Sequence, residues 1–343
     1  MSASPKILLV KLSSLGDVLH NLPIVWDLRA HLPDAQIDWV VEEGYVHLIE
    51  PLLSRDSFRG IDHIIPCGLR RWKKNLFKWS SWKEFFSFRE VLQSTSYDVL
   101  IETQGLLKSA IVCALAKKTS GSVVAGLANA TEFSGYEPLA RAFYSQSVQV
   151  PILCHAVDRS RWVTCSALDW SLIERGNSPQ FYPSEFIAGL PISSVAGLSK
   201  PYILFFHSTA REAKRWANEY WVELGKEFSS RGYQVVFPWG STSEKAISEL
   251  LAAQIANAFV PPAFSIEDAF SVIAGAALTV GVDTGLTHLA AVLDKPTVEI
   301  YCDSPRWKTE GYWSDRIANV GDIQNPPNIQ EVLGASLKLL QQA

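Results

Sequence analysis

Short apolar runs recur along the chain, each ending in a small or polar turn and most followed by a stretch of helical period. Ile7-Leu8-Leu9-Val10 is the first. After it come Lys11-Leu12-Ser13-Ser14-Leu15-Gly16-Asp17 and then a helical face of Val18, Leu22, Val25, Trp26 and Leu28. Further strands are predicted at Ile37–Val41, Ile61–Ile65, Asp98–Ile101 and Ser122–Gly126, with helices at Trp82–Gln93 and Leu106–Lys117 between them. A mainly helical stretch, His155–Ile173, precedes a segment rich in Pro, Ser and Gly, Gly176–Lys200. The alternation then restarts. Strands are predicted at Tyr202–Phe206, Gln234–Phe237, Leu278–Val282 and Thr297–Tyr301. Helices are predicted at Trp216–Phe228, Ser243–Ala256, from Ser265 onward, at Leu286–Leu293 and at Ile329–Leu340.

Strand–helix alternation implies parallel sheets with helices on both faces. Two rounds of it predict an α/β chain of two Rossmann-like domains: residues 1–175, a linker over 176–200, and residues 201–343. Their parallel sheets are expected to face a central cleft, with the last helix free to pack back on the first domain. Ligands of such sheets bind at the carboxyl ends of the strands. Those strand ends are therefore where chemistry is sought.

Composition narrows the class. With 48% hydrophobic and 19% charged residues, the 343-residue chain is ordinary globular material rather than disorder. A net charge of -4 gives no general basicity toward nucleic acid. The five cysteines form no C-x-x-C, which argues against a zinc ribbon and suits a reducing compartment. Neither a signal peptide nor an apolar run near the ~20 residues that span a bilayer is visible, so a cytoplasmic protein is expected.

Three strand ends in the second half carry ligand-compatible residues. Asp283-Thr284-Gly285-Leu286-Thr287-His288 is a tight turn into a helix, where unpaired N–H groups and the helix dipole receive phosphate. His207-Ser208-Thr209 leads to Lys214 and Arg215, hydroxyls and cations suited to a diphosphate. Pro238-Trp239-Gly240-Ser241 leads to Glu244, a carboxylate able to accept the hydroxyls of a ribose. Alone, each also reads as a capped or solvated loop; together they point to a nucleotide. In the first half, Asp17 read alone is the first-turn acid of a helix. Neither G-x-G-x-x-G nor a Walker loop occurs, which disfavours an epimerase or dehydrogenase. Arg70-Arg71-Trp72-Lys73-Lys74-Asn75-Leu76-Phe77-Lys78-Trp79 interleaves cations with aromatics, which reads as an anionic membrane or glycolipid contact or as a solvated helix face, a nucleic-acid patch being disfavoured by the acidic net charge.

K-L-S-S-L-G-D-V-L-H-N-L-P, I-D-W-V-V-E-E, R-R-W-K-K, T-Q-G-L-L-K-S-A, H-A-V-D-R, F-P-W-G and V-D-T-G-L-T-H-L occur in this order. Together they resemble the lipopolysaccharide heptosyltransferase I group of glycosyltransferase family 9, over residues from about 6 to about 305. The resemblance implies a GT-B fold and inverting transfer of L-glycero-D-manno-heptose from ADP-heptose to the Kdo residue of Kdo-lipid A. It implies an enzyme peripheral to the cytoplasmic face of the inner membrane.

Residue by residue, the resemblance makes Asp17 the catalytic base and Lys214 the lysine at the nucleotide-sugar phosphates. Ser208 and Thr209 correspond to a hydroxyl pair at those phosphates, and Thr284, Gly285, Leu286 and Thr287 to the phosphate-binding turn. Asp283 and His288 lie beside the donor sugar, and Glu244 at the adenosine ribose. Ser14, Arg70, Arg71, Lys73, Lys74, Gln104, Lys108 and Arg159 correspond to acceptor-binding positions. Tyr136 departs from the family, standing where an arginine precedes Glu-Pro-Leu-Ala. No D-x-D occurs, so no protein metal site and no tightly bound cofactor are expected, although magnesium can assist without one. The alternatives are a related family 9 transferase with another acceptor, or a non-catalytic lipopolysaccharide-binding protein of the same fold.

Overall fold

The computed structural model describes residues 4–75, 77–171, 178–193, 195–209 and 211–342. It divides into two units, Met1–Pro183 and Ser184–Ala343. The first holds strands β1 (Lys6–Val10), β2 (Gln36–Glu42), β3 (His63–Cys67), β4 (Tyr97–Glu102), β5 (Lys118–Leu127) and β6 (Gln146–Val148). They pair in parallel in the order β3-β2-β1-β4-β5-β6. The second unit holds β7 (Tyr202–Phe206), β8 (Gln234–Val236), β9 (Ala258–Phe259), β10 (Leu278–Val282), β11 (Thr297–Tyr301) and β12 (Ile317–Gly321). Their order, β12-β11-β10-β7-β8-β9, is the same doubly wound arrangement. In each sheet the winding direction reverses between its first and fourth strands, at β1/β4 and at β7/β10.

Parallel strands covered on both faces read as continuous apolar runs. Accordingly Ile7, Leu8, Leu9 and Val10 are wholly buried, as are Ile203, Leu204 and Phe205. Leu8, Val10, Val40 and Leu100 share a core with Trp72, Phe88 and Leu92. In the second unit Phe205, Trp221, Phe228 and Phe237 centre the core. The terminal helix Ile329–Gln342 covers β10, β11 and β12 of its own sheet.

The expected elements match closely, with instructive differences. The third strand lies two residues later than predicted, at His63–Cys67. The helix expected over His155–Ile173 runs over Ala156–Ala167, and Ile173 lies outside the described residues. Within the expected linker, Ser184–Gly189 is helical, while residues 176, 177 and 194 lie outside the described residues. Phe181 and Tyr182, just after its start, are buried, and the Tyr182 hydroxyl donates to Leu48 O at 3.1 Å. Aromatic anchoring thus carries the first unit on to Pro183. The strands β6, β9 and β12 were not legible in the pattern. All are sheet edges with few fully buried positions, so they lack the apolar run that marks a central strand.

Candidate functional site

In the first unit, chemistry gathers where β1 and β4 end. Asp17 sits in the first turn of the short helix Leu15–Leu19, whose N-cap is Ser14. The Ser14 amide and hydroxyl donate to Asp17 Oδ2 at 2.9 and 2.8 Å. Gln104, just past β4, accepts from the Leu12 amide at 3.0 Å and donates to Ser13 Oγ at 3.3 Å. Lys108 Nζ donates to the same hydroxyl at 3.0 Å. Gly105 makes the turn possible: its φ of 74° suits glycine, and its amide donates to both oxygens of buried Glu102.

The electrostatics there are strongly positive. Burial alone would raise the Asp17 carboxyl, but the Lys11 and Arg159 charges and the two Ser14 bonds outweigh it. They hold the group well below the usual carboxylate range. Lys11 is buried and donates to Thr103 O at 3.1 Å. Arg159 is buried and donates to Thr131 Oγ1 at 3.2 Å. Burial pushes the Lys108 ammonium down, Glu42 opposes this, and Arg70 and Lys73 add to it. Ser14, Gln104, Lys108 and Arg159 are thus grouped with Asp17 by bonds and charge.

The remaining acceptor candidates lie on the helix Leu69–Lys74, where the structure separates them. Arg71 is bound by Glu43 and Glu84 on an exposed face. The Arg70 amide donates to Glu42 Oε1 at 2.8 Å, and its guanidinium lies over the Tyr45 ring at 5.5 Å. Lys73 and Lys74 are exposed. Trp72 is not an interfacial aromatic: it is buried against Phe85 and Phe88, with its indole N–H on Glu84. Phe77 and Trp79 do stand exposed, whereas Leu76 lies outside the described residues. Tyr136 donates to Ala128 O at 2.8 Å, so its hydroxyl serves the local backbone.

In the second unit the same sheet position, the ends of β7 and β10, carries the other cluster. Lys214 Nζ donates to Asp283 Oδ2 at 2.5 Å. Asp283 Oδ1 faces His288 Nε2 at 2.9 Å and accepts from Thr309 Oγ1 at 3.3 Å. His288 Nδ1 faces Glu299 Oε1 at 2.9 Å. Burial would lower the His288 pKa, but Glu299 and Asp283 raise it to about 10. Burial opposes, and His288 and Lys214 overcome it, to hold Asp283 well below its ordinary value.

Thr284 caps the helix Gly285–Val292 by backbone alone, leaving its hydroxyl out of the cap. Thr287, by contrast, is buried and donates to Val282 O at 2.8 Å, so it shapes the turn rather than facing a ligand. Gly281 permits this fit: a Cβ there would lie 2.1 Å from Thr287 Oγ1. The helix start presents the amides of Gly285, Leu286 and Thr287 to an anion.

Beside the turn, Ser208 Oγ lies 3.0 Å from His207 Nδ1, and His207 Nε2 lies 2.8 Å from Ser248 Oγ. Burial first, then the Arg215 charge, push His207 down to about 4. A neutral ring therefore positions Ser208. Thr209 is buried next to it. Glu244 accepts from the Gly240 amide at 2.7 Å through Oε2 and stands in the first turn of the helix Thr242–Ala252. Lys11 and Glu299 were missed in the sequence. Their signals were a lysine at the end of an apolar strand, and a carboxylate inside one.

Two clusters lie at matching sheet positions, one with cations around a carboxylate and one with a lysine beside the start of a helix. The model of glycosyltransferase family 9 (heptosyltransferase) matches residues 85–337. The chain belongs to glycosyltransferase family 9. Lipopolysaccharide heptosyltransferase 1 of Pseudomonas aeruginosa is 39% identical over 330 residues, 95% of this chain and 86% of that protein. The structure of E. coli heptosyltransferase WaaC with ADP superposes with a TM-score of 0.79 at 31% identity, covering 98% of this chain and 99% of the other. That of WaaC with ADP-2-deoxy-2-fluoro heptose gives 0.75 at 32%, with the same coverage. The family 9 chain is thus a glycosyltransferase of the GT-B-like heptosyltransferase fold, two six-stranded parallel sheets with helices.

Proposed function

We propose that this family 9 enzyme transfers L-glycero-D-manno-heptose from ADP-heptose to the Kdo residue of Kdo-lipid A, with inversion, in inner-core assembly. The observation that carries the reading is the donor cluster. Lys214, the Thr284 hydroxyl and the amides opening Gly285–Val292 sit together at the β7/β10 reversal point. That combination matches a leaving diphosphate, whose charge grows toward the transition state. The relatives solved with ADP and with a fluorinated ADP-heptose support the same donor here. Glu244 is assigned to the ribose, with Oε1 as the freer oxygen of a carboxylate whose Oε2 holds Gly240.

Asp17 is assigned as the base that takes the proton of the acceptor hydroxyl. A carboxylate this acidic is a weak base at rest, and general-base efficiency rises as the pKa nears the working pH. In this reading the negative charge of an anionic acceptor would offset the field of Lys11 and Arg159 that depresses Asp17, and so raise its basicity. Substrate charge and base strength are then coupled. Ser14, Gln104, Lys108 and Arg159 form the acceptor contacts around Asp17 in this reading.

The membrane is the third partner. Among the described residues no helix is long and apolar enough to cross a bilayer. The cations from Arg70 to Lys78 are continued by the helix Trp79–Gln93, which exposes Trp79, Trp82 and Phe86 along one face beside Lys83. Cations meeting anionic headgroups and aromatics at the interface suit a peripheral site on the inner membrane's cytoplasmic surface.

The test is a donor screen with purified Kdo-lipid A, read by product mass. A product heavier by one heptose, with ADP released, is expected. No transfer from ADP-heptose to any lipid A precursor would favour the non-catalytic alternative. Transfer only to a different acceptor would favour the related-transferase reading, which the committed Tyr136 hydroxyl already brings into view.

A further inference from the structure

Glu299 occupies the middle of β11, a strand paired on both sides, and is wholly inaccessible to solvent. Its neighbours Val298 and Ile300 point into the apolar core. A carboxylate in such a place is costly unless it is paired and fully hydrogen-bonded. Here it is. Oε1 faces His288 Nδ1 at 2.9 Å, and Oε2 accepts from the Tyr301 hydroxyl and the Gly311 amide, each at 2.9 Å. His288 in turn faces Asp283 with its other nitrogen at 2.9 Å. A neutral imidazole has one N–H and cannot donate on both sides; an imidazolium can.

We propose that Glu299 is a positioning residue for the donor site, holding His288 as an imidazolium with both N–H groups donating. The charged ring then fixes the Asp283 carboxylate and offsets its charge, leaving Lys214 cationic toward the diphosphate. The His288–Glu299 pair acts as a dipole whose positive end lies on the Asp283 side. Without the Glu299 charge the ring is neutral: its single N–H can still reach Asp283, but it no longer offsets that carboxylate's charge. Asp283 then draws more strongly on Lys214, the cation intended for the leaving group. The raised His288 pKa, near 10, agrees with the geometry. Asp283 and Glu299 face the ring, and Lys214 and Tyr301 stand one contact further out.

The inference rests on the donor reading of the second unit. Its test is Glu299→Gln in the full-length protein, with Glu299→Asp as the charge-retaining control. Nitrogen-15 spectra of the histidine rings at pH 8 report protonation without substrate. His288 is expected doubly protonated in wild type and neutral in Glu299→Gln. ADP affinity and kcat with ADP-heptose are each expected to fall about tenfold in Glu299→Gln, a step worth about 1.4 kcal/mol, with the acceptor KM unchanged. Glu299→Asp is expected to restore the charged ring and part of kcat. A neutral His288 in wild type overturns the inference. So does a neutral ring in Glu299→Gln with ADP affinity and kcat intact. Wild-type protein that fails to bind ADP removes the donor reading and this inference with it, whereas ADP binding equal in both proteins removes this inference alone.

Discussion

Ser14 gives Asp17 two hydrogen bonds on the same oxygen, Oδ2, from its amide at 2.9 Å and its hydroxyl at 2.8 Å. One residue thus orients the carboxylate through a single oxygen and leaves Oδ1 outside both bonds. The carboxylate is thereby held ionised and pointed; the orientation suits a base at a substrate hydroxyl, while its low basicity at rest has to be raised when the acceptor binds.

Asp17→Ala is therefore expected to lower turnover by about 10² to 10⁴-fold, the usual worth of a general base. ADP affinity should stay close to wild type, because the residues assigned to the donor belong to the second unit. Turnover above a tenth of wild type would remove Asp17 from the mechanism. Calorimetry with ADP checks that the donor half is intact.

Lys214→Ala should weaken ADP binding and slow the chemical step as well, since the diphosphate gains charge as the bond breaks. It also leaves Asp283 without its 2.5 Å partner. Single-turnover rates at saturating donor separate the two effects. A change confined to the acceptor KM would place Lys214 on the wrong substrate.

For the basic surface, the variant that isolates it spares Arg71 and Trp72. Arg71 is held by Glu43 and Glu84, and Trp72 is part of the core. Replacing Arg70, Lys73, Lys74 and Lys78 with Ser should weaken binding to anionic vesicles, each cation contributing about 1 kcal/mol at low salt. Wild-type binding should decline with added salt. ADP affinity should not change. Vesicle co-sedimentation beside an ADP titration decides it; weakened ADP binding with vesicle binding retained would reverse the assignment.

The two buried histidines of the second unit titrate in opposite directions. His207, near 4 when folded and about 6.5 when unfolded, binds fewer protons in the native state across that interval. Stability should therefore fall as pH drops from about 6.5 to 4, by at most about 1.4 kcal/mol per pH unit from this group. His288, near 10 when folded, stabilises fully below about 6.5 and loses that contribution as pH rises through 10. Melting curves of wild type and His207→Gln between pH 4 and 7 test the first limb. The variant should show the flatter acid side; parallel curves would mean that His207 is already protonated in the fold.

Central strands were legible because burial on both faces leaves no polar alternation to confuse them, as Ile7–Val10 and Tyr202–Phe206 show. The edge strands Gln146–Val148, Ala258–Phe259 and Ile317–Gly321 were not, being short or only half-buried. Asp17, Lys214 and Thr284 could be singled out as candidates because they lie in the segments that follow apolar runs, past the carboxyl ends of strands. What pairs with what was not. Nothing local in the chain says that Arg71 is spent on Glu43 and Glu84, that Thr287 turns inward, or that Glu299 meets His288 across two elements. Those pairings depend on which faces the sheet brings together, a property of packing rather than of spacing.

Trp72 gives the cationic segment a root. A tryptophan in the core, flanked on the chain by Arg71 and Lys73, fixes the helix Leu69–Lys74 at its middle while the charges face water. On the proposed membrane reading, the helix would have little ordering left to do on arrival at a charged surface. Electrostatic attraction would act mainly on the speed of encounter, which salt slows, and less on the shape of the contact once made. A loop of the same composition without that root would have to fold and dock at once.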